Sequence, residues 1–498
     1  MGLASLARDA CRSRRSGRMT KKNKPVPMIK PNPTPKTISP TLTILAWLLS
    51  LKPIVAVNRC RSPALVKQYA KASPQGSRVA LNQRQFGWIK LGLLLALMQT
   101  AFVQSAGAES DPAQGVRAES ARALEPSLEV SIQGFEASIR AQAQDLPGAA
   151  AVLVINGNVR PLMLFGFQSM TDIRPITEET VFQLASLSKS FTATAIALAV
   201  NDGHLQWGEP LVTRLPELNW SDARRAKKLK LFHLANQSSG LMPHAYTNLV
   251  EDVVSYNNIL NRLHEVPFVC DPGACYSYQN VVFSLLGDVL MQATGMSYAQ
   301  FLEQRLFAPL NMQAASVGRA TSRTDQLASA HVLRDDRWVV VPRNQRYYKV
   351  APAAGVNASI VDMRQWLLAH LGLIEGVPRA PLAQLQSRYI ANEAADNHYP
   401  NDDRISKAGY GLGWRVFAFS GVDGFAHHGG YVRGMRSEMI FHRGAKSGLV
   451  FLTNSEPAAL NRLSLAFAEW LAASQNAETL AWGDGIKQAP SSAPLGDL

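Results

Sequence analysis

The chain has 498 residues, a formal net charge of +14, 47% hydrophobic and 18% charged residues. Apolar residues spread along most of that length exclude a mainly disordered or coiled-coil protein. Residues 1–108 hold 18 Lys and Arg against one acid, Asp9, which leaves residues 109–498 with a net of −3. That near-neutral remainder carries no basic stripe, so nucleic acid is not an expected partner.

In chain order the first signal is for export. Arg84 and Lys90 precede an apolar stretch at 91–103, and Ala106-Gly107-Ala108 follows as a small-x-small pattern before Glu109. This is the layout of a secretory signal peptide cleaved near Ala108, and the stretch is short for a membrane span. The expectation is a periplasmic or secreted protein with no membrane span after cleavage. The signal begins near residue 80, behind a basic, Pro-rich segment with a second apolar run at 42–51. The reading is a misplaced start, with translation beginning at a codon now read as Val79 or Leu81. The alternative is a basic extension or a second anchor. Cys11 and Cys60 fall in this part, which leaves Cys270 and Cys275 in VCDPGACY. An oxidising compartment would let that pair close a small loop, the alternative being two reduced thiols. No zinc spacing or HExxH is present, and no cofactor is expected.

The exported part, expected over 125–475 with a loose tail at 476–498, opens with a helix over 128–145. Ser127 is read as its cap, and Val130, Ile132, Phe135 and Ile139 as its buried side. Apolar runs at 149–155 and 159–167 around Asn156-Gly157-Asn158 predict a hairpin. A helix over 191–200 is apolar nearly all round and therefore buried. From about 196 to 345 the pattern is mostly helical, clearest at 281–293 and 298–307. Ser359 with Asp362 caps a helix over 360–371. Strands return at 412–418, 435–442 and 448–453, and a last helix covers 457–473. Strands at both ends with helices between predict an α+β fold. Its antiparallel sheet is built from both ends of the domain, with flanking helices and an inserted helical subdomain.

Three local patterns carry chemistry. Ser186 and Lys189 are one helical turn apart on one face at the start of the buried helix. A serine hydroxyl is a weak nucleophile until a partly desolvated lysine takes its proton. Tyr278-Gln279-Asn280 offers a proton shuttle and an amide that holds both lysine and substrate, but Tyr246-x-Asn248 and Tyr256-x-Asn258 match the same pattern. His427-His428-Gly429-Gly430-Tyr431 reads as the opening of a strand with bare backbone, against which a substrate can lie. His370-x-Gly372 and His442-x-Gly444 also match.

Taken in order, Ser-x-x-Lys, Tyr-x-Asn and His-x-Gly resemble the penicillin-recognising serine hydrolases: class C β-lactamases, DD-peptidases and related esterases. The phrases ITEETVFQLASLSKSF, LANQSSGLMPH, YSYQNVVFSLLGDVL, APAAGVNAS, GYGLGW and HGGYVRGMRS extend the resemblance over most of the exported part. It implies a β-lactamase/transpeptidase-like fold and catalysis by Ser186, Lys189 and Tyr278. Asn280 would orient the substrate, and His428, with Gly434 six residues later, would support the proton network, His427 being the alternative. Gly429, Gly430 and Tyr431 would flank the substrate, with the Ser186 and Tyr431 N–H groups forming an oxyanion hole. The third motif departs from the lactamase pattern, having His428 where Lys is usual and Gly429 where a hydroxyl is usual. Arg433 or Arg436 is a candidate to restore the lost anion contact. The implied function is an exported serine hydrolase acting on a small-molecule or peptide substrate, a β-lactam, a D-Ala-D-Ala-type peptide or an ester. The alternative is a non-hydrolytic penicillin-binding or sensor protein.

Overall fold

The computed structural model describes residues 126–319, 326–392, 399, 402–457 and 461–481. The expected export signal, Cys11, Cys60 and the tail after Gly483 lie outside the described residues.

Helix α1 (Pro126–Ala143) has Glu129 in its first turn and Arg140 in its last, the order that suits the helix dipole. It buries Ile132, Phe135, Ile139 and Ala143 at helical spacing. Ser127 lies inside its first turn rather than capping it. Val130, two positions from Ile132 and so on the opposite side, is 70% exposed. Strand β1 (Gly148–Ile155) is buried at every position and turns through Asn156 and Gly157, both at positive φ, into β2 (Asn158–Val159). This is the two-residue left-handed turn that Asn-Gly favours. β3 (Met163–Ser169), β4 (Asp172–Pro175) and β5 (Val181–Gln183) follow, then a tight turn at Ala185–Leu187 and helix α2 (Ser188–Asn201).

Short helical turns fill much of 203–279. α3 (Asn280–Thr294) then stops at Gly295, whose φ of 72° suits a left-handed cap. The expectation of a mostly helical stretch fails after residue 315. There β6 (Ser316–Val317) and a hairpin of β7 (Ala330–Arg334) and β8 (Arg337–Val341) appear. Asp335 and Asp336 both take positive φ, an Asp-Asp version of the turn that glycine usually marks.

β9 (Val356–Ser359) leads into α4 (Ile360–Leu371), where Ser359 and Asp362 cap each other as predicted. β10 (Ile390–Ala391), β11 (Ile405–Tyr410), β12 (Arg415–Phe419), β13 (Val422–Val432), β14 (Met435–His442) and β15 (Ser447–Thr453) complete the strands. β11 and the first half of β13 were not foreseen, and the third motif closes a strand instead of opening one. α5 (Asn461–Ala481) starts and ends later than expected.

The main sheet runs β10-β11-β12-β13-β14-β15-β1-β3-β4. β15 pairs with β1 over Ala149↔Thr453 to Val154↔Gly448, so both ends of the domain share one sheet. Alternation along β1 divides the core. Ala149, Ala151, Leu153 and Ile155 face a cluster with α1 and α5, while Ala150, Val152 and Val154 face α2, α3 and α4. Among the described residues no helix is long and apolar enough to cross a membrane.

Candidate active site

The second face of the sheet carries the candidate residues. Ala185 holds a positive φ of 48°, a conformation costly for a residue with a Cβ, and this turn presents Ser186 just before α2 begins. Lys189 follows in the first turn of α2 and is completely buried. Its Nζ lies 2.7 Å from Asn280 Oδ1, 3.0 Å from Ala353 O and 3.3 Å from Ser186 Oγ. The Tyr278 hydroxyl donates to Ser186 Oγ at 2.9 Å, and Lys189 Nζ sits 4.6 Å above the Tyr278 ring.

Burial pushes the Lys189 ammonium well below the usual lysine range, and the nearby Arg415 guanidinium pushes it further. A neutral amine has two N–H donors and one lone pair. Asn280 Oδ1 and Ala353 O, which have only lone pairs to offer, take the two donors. The lone pair then faces Ser186 Oγ and can receive its proton. The contact with Ala353 comes from the APAAG segment and was not singled out in the sequence.

Tyr278 reaches the serine and its rivals do not. Tyr246 bonds Arg262 O and Glu265, and Tyr256 bonds Asp288. His428 is 1% exposed. Its Nε2 shares a proton with the Tyr410 hydroxyl at 2.8 Å, and its Nδ1 is 2.8 Å from Gly429 O. Burial, with Arg415 and Lys189 nearby, holds the His428 imidazole well below its ordinary range and therefore neutral. His370, another match to the pattern, is a core residue of α4 stacked edge-on with Trp366 and Trp414.

The glycines have steric reasons. A Cβ at Gly430 would run into the Leu184 carbonyl, just ahead of the serine turn. At Gly429 it would come within 2.7 Å of Glu438 Oε1, so a side chain there would require the Glu438 carboxylate to shift. β12 pairs with β13 only as far as His427, so His428 to Val432 have a strand neighbour on the β14 side alone.

Ser186, Tyr278, Asn280, Gly429, Gly430 and Tyr431 line one cavity of about 430 Å³. His244, Tyr276, Arg415 and Arg436, none of them assigned a firm role by sequence, line it too, and no described carboxylate does. Arg415 is 7% exposed and lies 5.5 Å over the Tyr278 ring. Its only sequence signal was its place after GYGLGW. Arg433 is exposed and lines a neighbouring cleft instead of this cavity. Cys270 and Cys275 are joined in a disulfide with Cα atoms 6.3 Å apart.

The family profile described as Beta-lactamase matches residues 132–474. The chain belongs to the beta-lactamase family. It is 26% identical over 252 residues to a "Beta-lactamase" of Escherichia coli (strain K12), across 50% of this chain and 63% of that protein. So it spans less than two thirds of that relative. It is 24% identical over 296 residues to "Penicillin-binding protein 4" of Amycolatopsis lactamdurans, across 57% of this chain and 74% of that protein. Among solved structures it resembles a class C beta lactamase from Rhodobacter sphaeroides. The TM-score is 0.54 at 21% identity, covering 70% of this chain and 99% of the other. At that identity the likeness is one of fold, and it agrees with the α+β class read from the order of strands and helices.

Proposed function

We propose that this chain is an exported serine hydrolase that cleaves an amide or ester through an acyl-enzyme on Ser186. Ser186 Oγ attacks the carbonyl and gives its proton to Lys189 Nζ. Tyr278 relays a proton to the departing nitrogen or oxygen as the acyl bond to the leaving group breaks. Water then adds to the acyl-enzyme, the acid is released and the serine proton returns. The Ser186 and Tyr431 N–H groups would hold the oxyanion, the latter from the free edge of β13. Asn280 would orient substrate, and neutral His428 would steady the Tyr410 side of the network.

The observation that carries this reading is the fully buried Lys189 amine 3.3 Å from Ser186 Oγ, with Tyr278 on the same oxygen. Gly429 and a neutral His428 support a peptidase or esterase over a dedicated lactamase. In place of Arg433, Arg415 and Arg436 are the cations that a substrate carboxylate in the cavity would meet. The test is covalent labelling by a fluorescent penicillin or a fluorophosphonate, with Ser186→Ala as the control. Labelling of the folded variant at the wild-type level would sink the assignment. A label retained on denatured wild type, with no turnover of nitrocefin, p-nitrophenyl esters or D-Ala-D-Ala peptides, would convert the reading to a slow penicillin binder.

A further inference from the structure

A second and larger cleft, about 1360 Å³, opens beside the cavity, and Tyr347 and Tyr431 line both. The two therefore adjoin at these residues. The free edge of β13 runs from one into the other: Gly429, Gly430 and Tyr431 line the cavity, and Tyr431, Val432 and Arg433 line the cleft.

The charges of the cleft are unequal. Five described basic side chains line it against three acids. Each acid already has a partner within the protein. Glu251 accepts from the Tyr347 hydroxyl at 2.7 Å, Asp252 Oδ1 from the Val253 N–H at 2.7 Å, and Glu456 from the Gly434 N–H. Two of the bases are committed as well. Lys349 donates to the carbonyls of Asp252 and Val254, and Arg343 to that of Leu327. The side chains of Arg319, Arg346 and Arg433 are exposed in the cleft and have no hydrogen bond or ion pair among the described residues. Three arginines thus face the cleft without a partner of their own, and of these Arg433 directly follows the β13 edge.

We propose that the acyl half of the substrate is extended and anionic, lying along the β13 edge with its negative group between Arg346 and Arg433. This rests on the Ser186 reading and adds the substrate class. A strand advances about 3.3 Å per residue, so from Gly430 to Val432, the last residue of β13, is roughly 7 Å, and Arg433 follows in the turn, which sets the anion on the order of 10 Å from the scissile carbonyl. A short acyl group fills only the smaller cavity and gains nothing from the cleft.

The experiment compares the p-nitrophenyl monoester of a dicarboxylic acid of roughly ten carbons, a length set by that strand spacing, with its neutral ω-methyl ester. Wild type is expected to favour the acid about fivefold or more in kcat/KM, and added salt should flatten the preference. The quantity read is the ratio, so a general loss of fold does not imitate the effect. Arg346→Gln with Arg433→Gln should bring it near unity. Arg346→Glu with Arg433→Glu should reverse it, so that the neutral ω-methyl ester becomes the better substrate. Equal kcat/KM for the two esters in wild type, or an unchanged ratio in both double variants, overturns the proposal and leaves Ser186 standing. No turnover of either ester by a protein whose Ser186 still labels overturns the proposal alone, whereas labelling that survives Ser186→Ala overturns the Ser186 reading and the proposal with it.

Discussion

Two histidines adjacent in the chain, His427 and His428, point to opposite faces of β13 and meet opposite solutions to burial. His427 is fully buried with its Nε2 2.6 Å from Glu438 Oε2 and its Nδ1 2.8 Å from the Tyr399 hydroxyl, beneath Ser464 of α5. On that face a basic group has an acid of its own. On the other face His428 shares its surroundings with Lys189 and Arg415, and no described carboxylate lines the cavity. There the low dielectric leaves one economical outcome, which is for lysine and imidazole to shed their protons. The first arrangement holds a strand in place. The second favours a neutral lysine amine beside a serine, as the proposed mechanism requires.

The largest effect that tests this contrast is expected at Lys189. Lys189→Met removes the proton acceptor and should lower kcat/KM by roughly a thousandfold or more, with the fold kept, as for other general bases. The pH profile of the wild type carries the sign. Lys189 works neutral, so kcat/KM rises as pH climbs through its pKa, which lies below the usual lysine value because of burial first and Arg415 second. Arg415→Gln removes a neighbouring positive charge, raises that pKa and should move the acid limb to higher pH. A limb that stays put or moves down would break the electrostatic half of the comparison.

The second effect belongs to the other face. Glu438→Ala strands the buried His427 and removes the carboxylate under Gly429. A loss of about 3 kcal/mol in denaturant unfolding is expected, as when one partner of a buried pair is deleted. Turnover of a short ester should change far less than in Lys189→Met. Glu438→Gln keeps a hydrogen-bond acceptor for His427 and should recover part of the stability. A variant as stable as wild type but catalytically dead would mean that both faces serve the chemistry.

The sequence made the His428 face legible and left the His427 face almost blank. Ser186, Lys189, Tyr278 and Asn280 were readable because chemistry fixes both their types and their local spacing, and the order of motifs chose Tyr278 over Tyr246 and Tyr256. Arg415 was not readable, because its position depends on β12 meeting β13 in register, Arg415↔His427, which is a property of the sheet. Glu438 was hidden for the same reason, and its contact explains Gly429 only once the strands are paired. The β7–β8 hairpin was missed because Asp335-Asp336 lacks the glycine that marks such turns. Which space Arg433 faces was not readable either, because that depends on where β13 ends, at Val432, and the turn that follows sets Arg433 in the cleft.

The smallest effect concerns the disulfide. Cys270–Cys275 closes a loop that the rest of the protein already holds firmly. The N–H groups of Val269 and Gly273 donate to Gly240 O and Ser238 O, both at 2.7 Å, and Asp271 pairs with Arg225 at 2.8 Å. So short a loop also gains little chain entropy, and about 2 kcal/mol or less of global stability is expected from it. Its position gives it more leverage on the site. The segment leaves Cys275, bonds Ser277 N–H to Gln237 O at 2.6 Å, and delivers Tyr278 to Ser186. Cys270→Ser with Cys275→Ser should therefore lower kcat severalfold through a looser Tyr278 while the melting temperature shifts by only a few degrees, in line with that stability figure. The double variant avoids the side effects of a reductant. Mass analysis under non-reducing conditions should find the wild-type pair oxidised, and two free thiols there would refute the pairing. A melting temperature that collapses while kcat holds would place the bond with the structural face of the molecule, because a strap that only stabilises the fold has no reason to act through the tyrosine.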